Sequence, residues 1–335
     1  KVGNRLAYCS AIKRSVLFLL ILVVLLFLLN LLYIGVVQHH NIPYRKELMY
    51  KEDLKHFPNK EIGFAFFGSS HTTFATNPRY INDSYNFGIN HGTYTEAYYK
   101  LRKLVEKDHL HIKNIVLEVD LHTLSGQFNE PQWIFFSLEV ADEVVPLRKI
   151  SELREQSRWS IVVERYFPVL GNGISLVESM VGKPKLTTLY FGWEKHTKDF
   201  SQEENKNKTF YGEYGYYFSN DQPRIDEESF LYFLKLLTYA KENNINVIFL
   251  KYPITKEYDE MIMASKVTKE DYYTAIFSHA DTILGEKYVV LDYYDLFFDH
   301  PEYFNDDDHL NSVGAEAFSK KVNADLEKFE LNYNN

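Results

Sequence analysis

The chain has 335 residues, 45% hydrophobic and 25% charged, enough for one large or two small globular domains. A net charge of −9 argues against a nucleic-acid binder, which carries a basic face. The single cysteine, Cys9, excludes an intramolecular disulfide and any Cys-x-x-Cys metal site.

Val16 to Val37 is apolar except for Asn30, Tyr33 and Gly35. As a helix it would span about 33 Å, one hydrocarbon core. The run ends in Gly35-Val36-Val37-Gln38-His39-His40, without a small-residue cleavage site, and so reads as an uncleaved anchor over residues 16–37. Lys1, Arg5, Lys13 and Arg14 precede it with no acidic residue, and the next positive charge is Arg45. That bias puts residues 1–15 in the cytoplasm and the rest outside the cytoplasmic (inner) membrane, a single-pass protein. Residues 38–60 are polar and mixed in charge, as expected of a juxtamembrane linker.

From residue 61 onward, short apolar runs alternate with helical patterns. Ile62–Phe67, Ile115–Val119, Val247–Leu250 and Tyr288–Leu291 suit buried parallel strands, with a further strand ending near Asn86. Thr95–Lys107, Asp226–Asn243 and Ser312–Phe329 place apolar residues on one helical face. The alternation predicts an α/β fold with a mainly parallel sheet over 61–335. Residues 125–225 break the rhythm and read as an insertion or cap. Within them Asn207-Lys208-Thr209 matches a glycosylation sequon.

Two segments could carry chemistry. Phe67-Gly68-Ser69-Ser70-His71 follows the first strand, and ligands bind at the carboxyl ends of strands in open parallel sheets. Asp306-Asp307-Asp308-His309-Leu310-Asn311 precedes the last helix. With Asp306 orienting His309, and the other ring nitrogen reaching Ser70, the two ends would form a serine nucleophile and its base. Gly88, in Asn86-Phe87-Gly88, could offer a backbone N–H to an oxyanion, together with the amide of Ser70. Metal ligation by Asp306, Asp308 and His309 is the competing chemistry, but no second ligand cluster accompanies them, so neither a metal nor a cofactor is expected.

These residues resemble the SGNH (GDSL-like) hydrolase superfamily. Phe67-Gly68-Ser69-Ser70 is similar to its first block, Asn86-Phe87-Gly88 to its second, and Tyr303-Phe304-x-Asp306-x-x-His309-Leu310-Asn311-x-x-Gly314-Ala315 to its last. The resemblance implies a three-layer α/β/α sandwich of flavodoxin-like kind, with Ser70, His309 and Asp306 catalytic, and Ser70 and Gly88 in the oxyanion hole. Asp306 is selected over Asp307 and Asp308 because the family's acid lies three before its histidine.

The third block departs from the pattern. The family carries a Gly-x-Asn-Asp segment whose asparagine donates to the oxyanion, whereas this strand end reads Leu117-Glu118-Val119-Asp120-Leu121-His122. His71, Asn90 and His122 are the candidate substitutes, as a third oxyanion donor or as substrate contacts. The departure resembles the membrane-anchored branch of the superfamily, similar to DltD and the alginate O-acetylation proteins. That resemblance implies O-acyl, chiefly acetyl, transfer to a cell-envelope polysaccharide beside a membrane-bound O-acyltransferase. A glycan acyl-esterase of the same fold, or a non-catalytic glycan-binding subunit, are the alternatives.

Overall fold

The computed structural model describes residues 2–40, 50–124, 147–153, 157–167, 189–197, 218–219, 222–223, 225–263, 269–285 and 287–333. The chain divides into two compact units, Lys1–Arg45 with Leu147–Leu186, and Lys46–Pro146 with Thr187–Asn335.

The first unit carries helix α1 (Val2–His40). Its stretch Ile12–Tyr33 is long and apolar enough to cross a membrane, and side chains such as Phe18, Leu19 and Leu28 are exposed. In an aqueous fold, a continuous row of exposed Leu, Val and Phe would be costly, and lipid removes that cost. The unit also contains the short helices Leu147–Leu153 and Arg158–Tyr166.

The second unit is built on five parallel strands: β1 (Glu61–Phe67), β2 (Ser84–Asn86), β3 (His111–Glu118), β4 (Asn246–Lys251) and β5 (Tyr288–Asp292). Their order is 2-1-3-4-5. Phe66 pairs with Val116, and Leu117 with Phe249. Because alternate residues point to opposite faces, Phe64, Phe66, Val116, Ile248 and Leu250 share one face. There they pack on Phe318, Val322 and Leu326 of the last helix, α9 (Ser312–Tyr333). On the other face, Phe249 meets Phe233 of α6 (Glu227–Glu242) and Phe277 of α8 (Lys269–Leu284). α6 in turn packs on α3 (Tyr94–Glu106). The expected α/β architecture, helices flanking a parallel sheet, is therefore the one observed.

One expectation needs correction. The linker is shorter than 38–60: Tyr50 is buried and donates to Asp108 Oδ2 at 2.8 Å, and Tyr85 donates to Asp53 Oδ2 at 3.1 Å, so residues 50–60 belong to the folded unit. Of the span 125–225, Leu147–Leu153 and Arg158–Tyr166 fall in the first unit and residues 189–197 in the second. Residues 125–146 and the sequon at 207–209 lie outside the described residues.

Candidate active site

In the order 2-1-3-4-5, the chain reverses direction of winding between β1 and β3, and the crevice at their carboxyl ends is the natural ligand site. Ser70 and Asp120 follow those two strand ends. Gly68 is required at the turn. A Cβ there would collide with the Thr72 hydroxyl and the Glu118 carboxylate, which occupy that space.

Ser69 and Ser70 have opposite surroundings. Ser69 is 1% exposed and N-caps α2 (Ser70–Ala75), accepting from His71 N at 3.3 Å. Its hydroxyl donates to Glu118 Oε1 at 2.5 Å and lies 2.8 Å from His122 Nε2. Ser70 is half-buried and opens the helix, so its amide is one of the first-turn N–H groups without an intrahelical acceptor. Its Oγ lies 2.7 Å from His309 Nε2.

His309 sits in a tight loop. Asn305 N–H donates to the His309 carbonyl at 2.8 Å, and Phe304 bridges to Leu310. Asn311 closes the loop at its far end: its amide donates to the Glu302 and Phe304 carbonyls, and its Oδ1 accepts from Val313 N and Gly314 N at the start of α9. Within this loop Asp306 Oδ1 lies 2.8 Å from His309 Nδ1 and accepts the His309 backbone N–H at 2.9 Å. Ser70, His309 and Asp306 therefore meet in the expected order.

A second carboxylate joins them. Asp308 Oδ1 is also 2.8 Å from His309 Nδ1, and Asp308 Oδ2 is 3.2 Å from His71 Nε2. Burial opposes a charge on His309, but Asp308 and Asp306 outweigh it and push the imidazole up to about 10. Burial likewise opposes ionisation of Asp308, yet His309 and His71 hold its carboxyl well below the usual range. Spacing selects Asp306 alone. Asp308 is found only because the bend at 305–308 turns both acids toward one ring nitrogen.

The other expected site residues separate. His71 is 3% exposed, its Nδ1 2.6 Å from Asp120 Oδ2, and His122 is 6% exposed against Glu118 Oε1 at 2.9 Å. Both are buried beside the Ser70–His309 contact. The reason is electrostatic: each is drawn inward by a buried carboxylate. Gly88 also departs from its expected role. Its N–H donates to Asn86 Oδ1 at 2.8 Å, while Asn86 Nδ2 donates to the Thr72 and Thr76 carbonyls at 2.7 Å. The Asn86-Phe87-Gly88 turn thus clamps the C-terminal end of α2, and Gly88 is needed because a Cβ would strike Thr72 and Thr73. Asn90 is half-buried, with a buried Oδ1 that has no hydrogen-bond partner among the described residues.

Residues 189–197 add an unexpected wall. Trp193 Nε1 donates to the Phe74 carbonyl at 2.7 Å, and the His196 ring stacks on Phe74 with centroids 3.6 Å apart, 6.4 Å from the His309 ring. No local motif announces these contacts, because both partners are long-range.

Among the described residues, two carboxylate–imidazole groupings have metal-like spacing, His71 with Glu118 and His122, and His71 with Asp308 and His309. Their short donor–acceptor distances are already accounted for by the ion pairs described above.

No family model and no curated protein matches the chain. A solved structure from Streptococcus pneumonia, described as a platelet activating factor, is 12% identical and covers 90% of this chain and 98% of its own, with a TM-score of 0.34. That likeness is too slight to bear on the chemistry, which rests on the geometry of the residues themselves.

Proposed function

We propose that the second unit is an SGNH-type serine enzyme that moves an acyl group through a covalent Ser70 ester, with an envelope glycan as acceptor. The observation that carries the reading is the continuous contact Ser70 Oγ–His309 Nε2–His309 Nδ1–Asp306, at 2.7 and 2.8 Å, at the carboxyl end of β1. Ser70 Oγ attacks the acyl carbonyl while its proton passes to His309 Nε2. That proton then protonates the departing oxygen, and a sugar hydroxyl or water repeats the sequence in reverse. Each backbone or side-chain donor to the oxyanion is worth about 3 kcal/mol. The Ser70 amide and the Asn90 side chain are the proposed donors.

Helix α1 supports transfer over hydrolysis, since it would hold the unit beside a membrane acyl donor such as a membrane-bound O-acyltransferase. On this reading α1 anchors the chain in the cytoplasmic membrane with the sheet-bearing unit outside. A non-catalytic glycan-binding role is the second reading, favoured by the engaged Gly88 amide, which leaves the oxyanion position short of one donor.

A fluorophosphonate probe on the full chain in detergent separates these. Labelling lost in Ser70→Ala supports the enzyme; a folded wild type that resists the probe at every pH sinks it. Envelope glycans from a Ser70→Ala strain then divide the two enzymes: fewer acyl groups than wild type mean transfer, and more mean hydrolysis.

A further inference from the structure

Orientation of His309 needs one carboxylate, and Asp306 supplies it. The structure brings a second, Asp308, to the same ring nitrogen, and behind it a buried pair. His71 Nδ1 lies 2.6 Å from Asp120 Oδ2, its Nε2 faces Asp308 Oδ2 at 3.2 Å, and Asp120 Oδ1 accepts the Tyr252 N–H at 3.0 Å. His71 and Asp120 are 3% and 5% exposed. Burying such a pair gives little net stability, because desolvation offsets the attraction. An ionic array that contributes little to folding and ends on the triad imidazole calls for a role there.

We propose that Asp308 and the buried His71–Asp120 pair form a positioning array that tunes the basicity of His309, with His71 acting as counter-charge to Asp308. The inference rests on the acyl-transfer reading of Ser70 and His309. In that reaction the Ser70 proton moves to His309 Nε2 as the Oγ–carbon bond forms, so the imidazole must first be neutral and then cationic. Each carboxylate at Nδ1 favours the cation and so moves the first half of the reaction to higher pH. A cationic His71, held by Asp120, draws on Asp308 and relaxes that grip. Asp306 remains free to orient the ring.

The groups facing His309 are Asp306 and Asp308 from its own loop, His71 from α2 with rings 5.2 Å apart, His196 from 189–197, and His91, whose charge His309 repels. Those facing His71 are Asp120, Asp308, His122 with rings 4.6 Å apart, Tyr252, and the Glu118 carboxylate. Burial opposes a charge on His71, but its bonds to Asp120 and Asp308 outweigh burial and raise it well above the usual imidazole range, in keeping with a standing cation.

The test is the pH profile of Ser70 labelling by a fluorophosphonate, in the full chain in detergent. In wild type the rate rises toward alkaline pH as His309 loses its proton. Asp308→Asn should move the midpoint down by about one to three pH units, the effect of removing a carboxylate at contact. His71→Gln should move it up, since Asp308 then acts on His309 alone, and Asp120→Asn should follow His71→Gln. Midpoints of Asp308→Asn and Asp120→Asn that coincide with wild type, in proteins that melt cooperatively, overturn the proposal. If wild type never labels, the acyl-transfer reading falls by itself. Titration of the His309 ring nitrogens by NMR in the same variants then decides the array without catalysis, with the same shifts supporting it and unchanged midpoints ending it.

Discussion

Ser70 and His309, 239 positions apart in the chain, meet at 2.7 Å because two helices are tied together beneath them. Ser319 of α9 donates to the Ala75 carbonyl at 3.1 Å and accepts the Asn77 N–H at 2.9 Å, fixing the end of α2 against the helix that follows the histidine loop. The placing of Ser70 against His309 is therefore set by packing of α2 on α9, with the sheet as their common floor.

The neighbouring serines give the first prediction. Ser70→Ala removes the group beside His309 Nε2 and should abolish covalent labelling while leaving the melting temperature within a few degrees, since Ser70 is only half-buried. Ser69→Ala should do the reverse. It strips the buried Glu118 carboxylate of a hydroxyl donor and removes the α2 cap, at a cost of roughly 1–3 kcal/mol. Labelling kinetics and thermal melts of the two variants check this. Equal labelling in Ser70→Ala and Ser69→Ala would mean that the wrong serine has been identified.

Asn86 carries the second. Its amide satisfies the Thr72 and Thr76 carbonyls and its oxygen the Gly88 N–H, all buried. Asn86→Ala leaves more than one buried group without a partner, a loss of about 3 kcal/mol. The melting temperature should fall by roughly 5–10 °C. An unchanged melt would show that the clamp on α2 is redundant.

How much of this was legible beforehand follows from the range of the interactions. Strands β1, β3 and β4 read directly as apolar runs, because a strand buried on both faces has little that is polar to interrupt it, while β5, half-buried at the edge of the sheet, reads from Tyr288 to Leu291. Ser70, Asp306 and His309 stand in local patterns that mark a turn after a strand and a loop before a helix. Helix α8 went unread: Tyr272, Ile276, Ala280 and Leu284 stand at helical spacing, but among polar neighbours that dilute the pattern. Asp308 could not be read, since adjacent residues ordinarily point apart and only the bend at 305–308 brings it onto His309. His71 and His122 look like site histidines by sequence position. The burial of His71 is decided by Asp120, after a different strand, and that of His122 by Glu118, four residues earlier at the end of its own strand.

The imidazole charges make the folded unit sensitive to alkali. His309 is raised from its usual value of 6.5 to about 10, so between those values the folded state holds a proton that the unfolded chain has lost. Stability falls with pH wherever the native state binds more protons. The contribution of His309 is thus complete below about pH 6.5 and is lost as pH rises through about 10. Glu118 acts at the opposite end. Burial disfavours its charge, but His122 and Ser69 hold it down to about 2, so its contribution is present above about 4.5 and lost as pH falls through that lower value. Melting temperatures of the full chain should be highest near pH 5–6 and decline steadily from pH 7 to 9. Asp308→Asn should flatten that decline by lowering the proton affinity of His309. A wild-type curve that is level from pH 7 to 9 would refute a cationic His309.

The orientation across a membrane can be read with single cysteines, because Cys9 is the only one to remove. In a Cys9→Ser background, Asn4→Cys lies before the apolar stretch Ile12–Tyr33, and Glu227→Cys lies on the exposed first turn of α6 in the sheet-bearing unit. Lys13 and Arg14 lie at the N-terminal end of that stretch, just before the uninterrupted apolar run from Val16, and such flanking charges favour the cytoplasmic side. A membrane-impermeant maleimide applied to intact cells should therefore modify Glu227→Cys and spare Asn4→Cys until the cells are opened. The reverse pattern would put the Ser70 site inside the cell, away from any envelope glycan. Modification of both in intact cells would mean that the apolar helix does not span the bilayer.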